Sequence, residues 1–233
     1  MSLQDQNQTR WNACQVNPNK LNQFKSVAAR LSASGAKSRY QTVSKATGVP
    51  WWFIAVVHER EASQNWNSNI AQGDPWNRRS THVPKGRGPF KSWEDAAIDA
   101  LTNCAPYAAK NTDWSMASAL TMLEKYNGLG YYNKGIPSPY IWAGTNQYTK
   151  GKYVADGRFS ATAVDQQLGC AGILKQMNVT SVSPSIATGG SIAAAGGSFA
   201  TYFQDHWLLI VGASIGAAIL VGSVLHYIRK KTA

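Results

Sequence analysis

Residues 50–63, PWWFIAVVHEREAS, decide the fold. From Trp51 to Val57 the run is apolar on every side, and a helix that is apolar all round has to be wrapped by others. Pro50 suits the first turn of such a helix, because its fixed φ is already helical and its missing N–H has no partner to lose there. The charged tetrad His58-Glu59-Arg60-Glu61 then closes the helix, so an apolar rod delivers ionisable groups to one end. Glu61 lies on the stripe of Ile54 and Val57, whereas Glu59 is turned about 200° away, so one of the two carboxylates faces any given cleft. Helical geometry alone does not choose between them.

Working outward, Pro18 to Ser32 carries Leu21, Phe24, Val27, Ala28 and Leu31 at helical spacing, and Arg39 to Thr47 reads as a short helix closed by Gly48. Residues 64–91 lack helical period and hold Gly73, Pro75, Pro84, Gly86, Gly88 and Pro89, the pattern of an irregular loop or small hairpin beside the central helix. Ser92, with Asp95 three positions on, reads as the N-cap of a helix running to about Asn103. Ser115 to Tyr126 reads as another, ending at Gly128, and a last helix is expected over about 161–177. The fold class expected is all-α with a minor β component.

Five segments follow: a polar N-terminal tail over 1–14, a helical domain over 15–180, a linker over 181–203, a transmembrane helix within 204–228 and a basic tail over 229–233. The linker, rich in Ser, Gly and Ala (SVSPSIATGGSIAAAGGSFA from Ser181), cannot bury enough apolar surface to fold. Trp207 to Ile228 is an apolar run whose one ionisable residue is His226, long enough at about 1.5 Å per residue to cross a membrane core of about 30 Å. Arg229, Lys230 and Lys231 follow directly, so the positive-inside bias places the C-terminus in the cytoplasm and the helical domain outside. The opening MSLQDQNQTR contains no apolar core of the kind a cleavable signal requires.

A formal net charge of +11 calls for an anionic partner: nucleic acid, anionic lipid or the bacterial wall. The Lys and Arg are scattered without a nucleic-acid-binding motif, which favours long-range steering over base readout. Cys14, Cys104 and Cys170 include no close-spaced pair; this excludes a zinc-type cluster and leaves open one bridge or three free thiols. The HERE tetrad lacks a second His one turn along, so neither a metal nor any cofactor is expected.

Cleavage of a glycosidic bond needs a proton donor, and a carboxyl against apolar walls can stay protonated near neutral pH. A Glu at the end of the 50–63 helix fits that role. Arg60-Glu61 with nearby Ser63, and Tyr126-Asn127-Gly128 some 65 residues later, resemble the Arg-Glu-Ser and Tyr-Asn-x-Gly motifs of goose-type lysozymes and soluble lytic transglycosylases. The longer series HERE, GDP, VPKGRGPF, SWEDAA, YNGLGYY, SPYIWAGTNQYTKGKYVADGRF and VDQQLG is similar to lysozyme-like lysins of phages and bacteria over about residues 50–175. Ser63 stands one position later than in Arg-Glu-Ser, and VPKGRGPF replaces an expected Gly-Leu-Met-Gln segment.

The resemblance implies a lysozyme-like domain acting on peptidoglycan strands, with Glu61 as general acid at the bond between N-acetylmuramic acid and N-acetylglucosamine. It also implies that the Tyr-Asn segment, Tyr126 and Asn127, lines sugar subsites. Asp74 is the nearest second carboxylate, as base or nucleophile of a hydrolase, or else a turn residue in Gly73-Asp74-Pro75. Tyr131, Tyr140 and Trp142 are further candidates for substrate contact, since rings with polar tips suit a glycan, and Ser63 is another through its place in the Arg-Glu-Ser resemblance. Glu59 reads as a structural ion-pair partner. A lytic transglycosylase at the same bond, and a non-catalytic structural or wall-binding membrane protein of a virion or secretion machine, are the alternatives. The expected location is a membrane, bacterial or internal to a phage virion; in the virion the basic tail would face packaged nucleic acid.

Overall fold

The computed structural model describes residues 1–155 and 157–179. Over this range the chain is mostly helical with one small hairpin. The central helix α4 (Trp51–Ala62) begins after Pro50 and buries Trp52 to Glu59 and Glu61, as its all-apolar run requires. Around it lie α2 (Leu21–Ser32), α3 (Ser34–Thr47) and α9 (Cys170–Gln176). α3 packs in turn on α5 (Trp93–Asn103). Phe24, Leu31, Tyr40, Phe53, Ile54, Leu101, Leu120, Leu123 and Ile141 close one continuous core. Each such side chain, fully buried, stabilises the fold by about 1.5–3 kcal/mol.

The ends of these helices follow their local chemistry. Gly48 stops α3 with φ +74° and sends its N–H to the Ser44 carbonyl, a left-handed conformation that costs glycine nothing. Ser92 caps α5 by accepting from the Asp95 N–H at 3.0 Å. α3 starts at Ser34, five residues before the periodic pattern becomes visible.

Two expectations are corrected. Residues 1–14, read as a polar tail, contain α1 (Leu3–Ala13), opened by a reciprocal cap between Ser2 and Asp5 and packed on α6 (Met116–Asn127). Its sequence has no apolar stripe, and it docks through two separate side chains: buried Asn7 donates to Thr121 Oγ1 at 3.3 Å, and the partly buried Trp11 packs against the core. The last helix, expected over 161–177, is confined to α9. The preceding residues 163–169 run outside any helix because their groups serve α4: the Leu168 carbonyl and the Asp165 and Gln167 side chains all bind its C-terminal end.

The Tyr-rich segment after Gly128 breaks into two short helices, α7 (Gly130–Asn133) and α8 (Pro139–Trp142). Next comes the antiparallel hairpin of β1 (Lys152–Ala155) and β2 (Arg158–Ser160), with a register shift between Tyr153 and Ala155. The minor β component thus sits here, whereas 64–91 is irregular apart from an isolated bridge between Ser68 and Pro75. Among the described residues no helix is long and apolar enough to cross a membrane; the expected linker, transmembrane helix and basic tail lie outside the described residues.

Two glycines give a contrast in packing. A Cβ on Gly169 would lie 2.4 Å from the Ile141 carbonyl oxygen and 2.6 Å from the Ala143 nitrogen, both backbone atoms that cannot move aside alone. Gly35, exposed in the first turn of α3, meets nothing within 4 Å. Gly169→Ala should therefore lower stability by about 3 kcal/mol through overpacking. Gly35→Ala should raise it by up to about 1 kcal/mol through helix propensity. Denaturant midpoints of the two variants check both signs.

Candidate active site

Glu61 is 6% exposed, and among the described residues its one hydrogen-bond partner is Tyr140, whose hydroxyl donates to Oε1 at 2.9 Å. Burial pushes the carboxyl up to about 7, against the opposing effects of the Tyr140 hydroxyl and the Arg60 charge. With Tyr140 donating to Oε1, Oε2 is the oxygen left to carry the proton. The group is thus poised to hold a proton near neutral pH and, once it has given that proton away, to be stabilised by a hydroxyl and a guanidinium already in place.

Glu59, on the other side of α4, forms an ion pair with Arg30 at 2.9 Å. This is the structural role expected of it, and it separates the two carboxylates by environment: one neutralised by a cation, one held in an apolar setting. His58 is fully buried. Tyr40 lies 3.1 Å from its Nδ1, and the Asn65 carbonyl lies 3.1 Å from its Nε2. Burial pushes its pKa down to about 4, so near neutrality the ring accepts from Tyr40 and donates to Asn65. His58 is a satisfied core residue that ties α4 to α3 and to the loop after it.

Ser63 and Gln64 end α4 with φ of +50° and +56°, a left-handed pair that is uncommon for residues bearing a Cβ. The Ser63 N–H reaches the Glu59 carbonyl at 2.9 Å, and Gln64 is held by Arg30 and Tyr40. The turn is fixed from several sides, and Ser63 is exposed beyond it.

Asp74 is engaged as a clasp. Its Oδ2 accepts the N–H groups of Thr81 and His82 at 2.8 and 2.9 Å, and its Oδ1 accepts from His82 Nδ1 at 2.7 Å and Thr81 Oγ1 at 3.4 Å. Burial works against the charge, yet the bonds from His82 and Thr81 prevail and hold the carboxyl below its ordinary range. With both oxygens occupied twice, Asp74 closes the 74–82 loop, the role its Gly-Asp-Pro setting allows.

The aromatic candidates divide. Tyr126 and Tyr140 come together at Glu61, although 65 and 79 residues away in sequence; Tyr126 feels the Glu61 charge and donates to the Ile70 carbonyl at 3.1 Å. Asn127, partly exposed, donates weakly to Ser138 at 3.4 Å. Trp142 is 1% exposed within the core, so its ring offers no platform to a sugar. Tyr131 is likewise buried, packing edge-on against Tyr153 and accepting the Tyr153 N–H at 3.0 Å to seat the hairpin. Their apolar bodies serve packing, which composition could not distinguish from stacking on a ligand.

Sequence reading missed the groups that fasten Arg60. Its guanidinium, 6% exposed, donates to Asp165 at 3.2 Å and to the Leu168 carbonyl at 3.1 Å, and lies 4.7 Å from the centre of the Tyr140 ring. Lys152 of β1 binds the other Asp165 oxygen at 3.0 Å. Gln167 donates to the carbonyls of Glu59 and Arg60, capping the open end of α4. One signal was available: a buried arginine in an apolar helix needs a counter-charge, and the chain has only twelve acidic residues from which to supply it.

The three cysteines are free and buried. Among the described residues there is no group of three or more His, Cys, Asp or Glu side chains arranged to hold a metal ion. Compared with known proteins, the chain matches no family model, no curated protein and no solved structure.

Proposed function

We propose that this chain is a peptidoglycan-degrading glycosidase in which Glu61 is the general acid at the bond between N-acetylmuramic acid and N-acetylglucosamine. The observation that carries the reading is the environment of Glu61: a buried carboxyl, raised to about 7, with Tyr140 on one oxygen and the other available to donate. Proton transfer from Oε2 to the glycosidic oxygen lets the leaving hydroxyl depart without negative charge. The carboxylate so formed is stabilised by Tyr140 and Arg60. A pKa near the working pH is what a general acid needs, since it balances protonation against readiness to donate.

The occupation of Asp74 favours one variant of this reading. A hydrolase of either stereochemistry needs a second carboxylate with a free lone pair, as base or as nucleophile, whereas a lytic transglycosylase works with a single acid and uses a hydroxyl of the substrate itself. Asp74 spends both oxygens on Thr81 and His82, which supports the single-acid mechanism. The net charge of +11 suits capture of an anionic wall. The apolar run 207–228 with its basic flank would hold the domain at a bacterial or virion membrane, facing outward.

Analysis of chain ends after digestion of purified peptidoglycan tests the reading. New muramic ends are expected, and under the single-acid mechanism they are anhydromuramic. Reducing ends would return the second carboxylate to the mechanism. A digest with no new ends of either kind overturns the enzyme reading in favour of a structural or wall-binding role.

A further inference from the structure

Arg60 presents a physical problem. A guanidinium next to a carboxylic acid favours loss of the acid's proton, yet this one is buried immediately beside Glu61 in sequence and rests on the ring of the tyrosine that binds it. Among the described residues its Nε has no hydrogen-bond partner, and two hydrogen-bond acceptors hold the head group: the neutral Leu168 carbonyl and the charged Asp165 carboxylate. Asp165 is itself well secured. Its side chain is 11% exposed, its N–H donates to the Tyr148 hydroxyl at 3.0 Å, and Lys152 binds its second oxygen. Burial works against its charge, but Arg60 and Lys152 outweigh it and keep the carboxyl below its ordinary range, hence ionised.

We propose that Asp165 is a positioning residue for Glu61: it fixes the Arg60 guanidinium against the Tyr140 ring and offsets most of its charge, so that Glu61 meets chiefly a hydroxyl and only a partly compensated cation. The proposal rests on the reading of Glu61 as the acid. The groups that bear on Glu61 come from every side: Arg60 on its own helix, Tyr140 on α8, Tyr126 on α6 and Cys170 on α9. Arg60 is the one permanent charge among them, and Asp165 is its counter-ion. The arrangement also links the hairpin to the acid, because Lys152 of β1 reaches Asp165 from outside.

The test is a carbon-13 titration of the Glu61 carboxyl in the full chain, identified by its loss in Glu61→Gln, together with the pH profile of glycan release. In Asp165→Asn the Glu61 midpoint is expected to fall by about one pH unit, a tenfold change in acid strength, as an opposite charge at close range produces. The alkaline limb of the activity should move with it. Arg60→Met should move the midpoint upward, and adding Asp165→Asn to Arg60→Met should lower the midpoint by less than Asp165→Asn does alone, because only the direct field of Asp165 is then lost and its hold on Arg60 no longer counts. An unshifted midpoint in Asp165→Asn overturns the proposal. If Asp165→Asn alone does not fold, the double variant decides: a folded double variant whose midpoint lies less than about one pH unit below that of Arg60→Met supports the proposal, and one that falls by a full unit or more, or that does not fold, overturns it. Absence of glycan release by the unaltered protein would remove the enzyme reading while leaving the titration able to judge the positioning role of Asp165.

Discussion

Glu61→Gln is expected to reduce clearing of purified bacterial walls by at least about 100-fold, because a general acid contributes about 10²–10⁴-fold and glutamine has no proton to give. Glu59→Gln is the matched control. It removes a carboxylate two residues away on the same helix, but one committed to Arg30 at 2.9 Å and not facing Tyr140. Much of the activity should survive it, with a modest loss of stability. The two variants also separate catalysis from folding. The folded-state pKa of Glu61 stands above its ordinary value of 4.5, so its favourable contribution to stability is complete below about pH 4.5 and lost as pH rises through about 7. Glu61→Gln should therefore be inactive and, at pH 8, at least as stable as the parent. Equal wall clearing by Glu61→Gln and the unaltered protein would end the assignment.

The second large effect is on stability and comes from a carboxyl that the proposed reaction does not use. Glu124 of α6 is 2% exposed, and among the described residues its Oε1 has no hydrogen-bond partner. Burial pushes it up to about 8, with Arg10 of α1 pulling the other way. A folded-state value of about 8 against an ordinary 4.5 means that stability held below pH 4.5 is lost progressively up to about pH 8. At about 1.4 kcal/mol per pH unit this is on the order of 3–5 kcal/mol. Glu124→Met, close in volume and free of charge, should recover most of it at pH 9 and much less at pH 4. Urea unfolding at the two pH values measures the difference. An equal effect at both would mean that Glu124 finds solvent or a partner when ionised.

Where one physical cause dominates, the sequence was enough. The all-apolar run from Trp51 could only be a central helix, whereas helical spacing left Glu59 and Glu61 equal and the resemblance alone favoured Glu61; the two carboxylates have different partners, Tyr140 for Glu61 and Arg30 for Glu59. Gly48 and Ser92 announced their helix ends by the backbone groups they satisfy. The site was legible only in part, because its supports come from far along the chain. Asp165 reaches Arg60 across 105 residues, and nothing near it marks it as a partner. Helix α1 escaped notice for a related reason: it docks through Asn7 and the single Trp11 rather than through an apolar stripe. Trp142 and Tyr131 show the limit of composition, since an aromatic ring looks the same in sequence whether it packs a core or meets a sugar. Residues 163–169 read as helix because their local pattern permits one, while their contacts to the end of α4 accompany a chain that runs outside any helix.

The central claim is that Glu61 holds its proton near neutral pH and delivers it to a glycosidic bond. The measurement closest to it is the rate of glycan release from purified peptidoglycan across pH 5 to 9, set beside the titration of the Glu61 carboxyl in the same protein. The rate should fall on the alkaline side with a midpoint near 7, matching the carboxyl's own midpoint, and Glu61→Gln should show no release at any pH. A rate that falls instead near pH 4.5, or one unaffected by Glu61→Gln, would contradict the account.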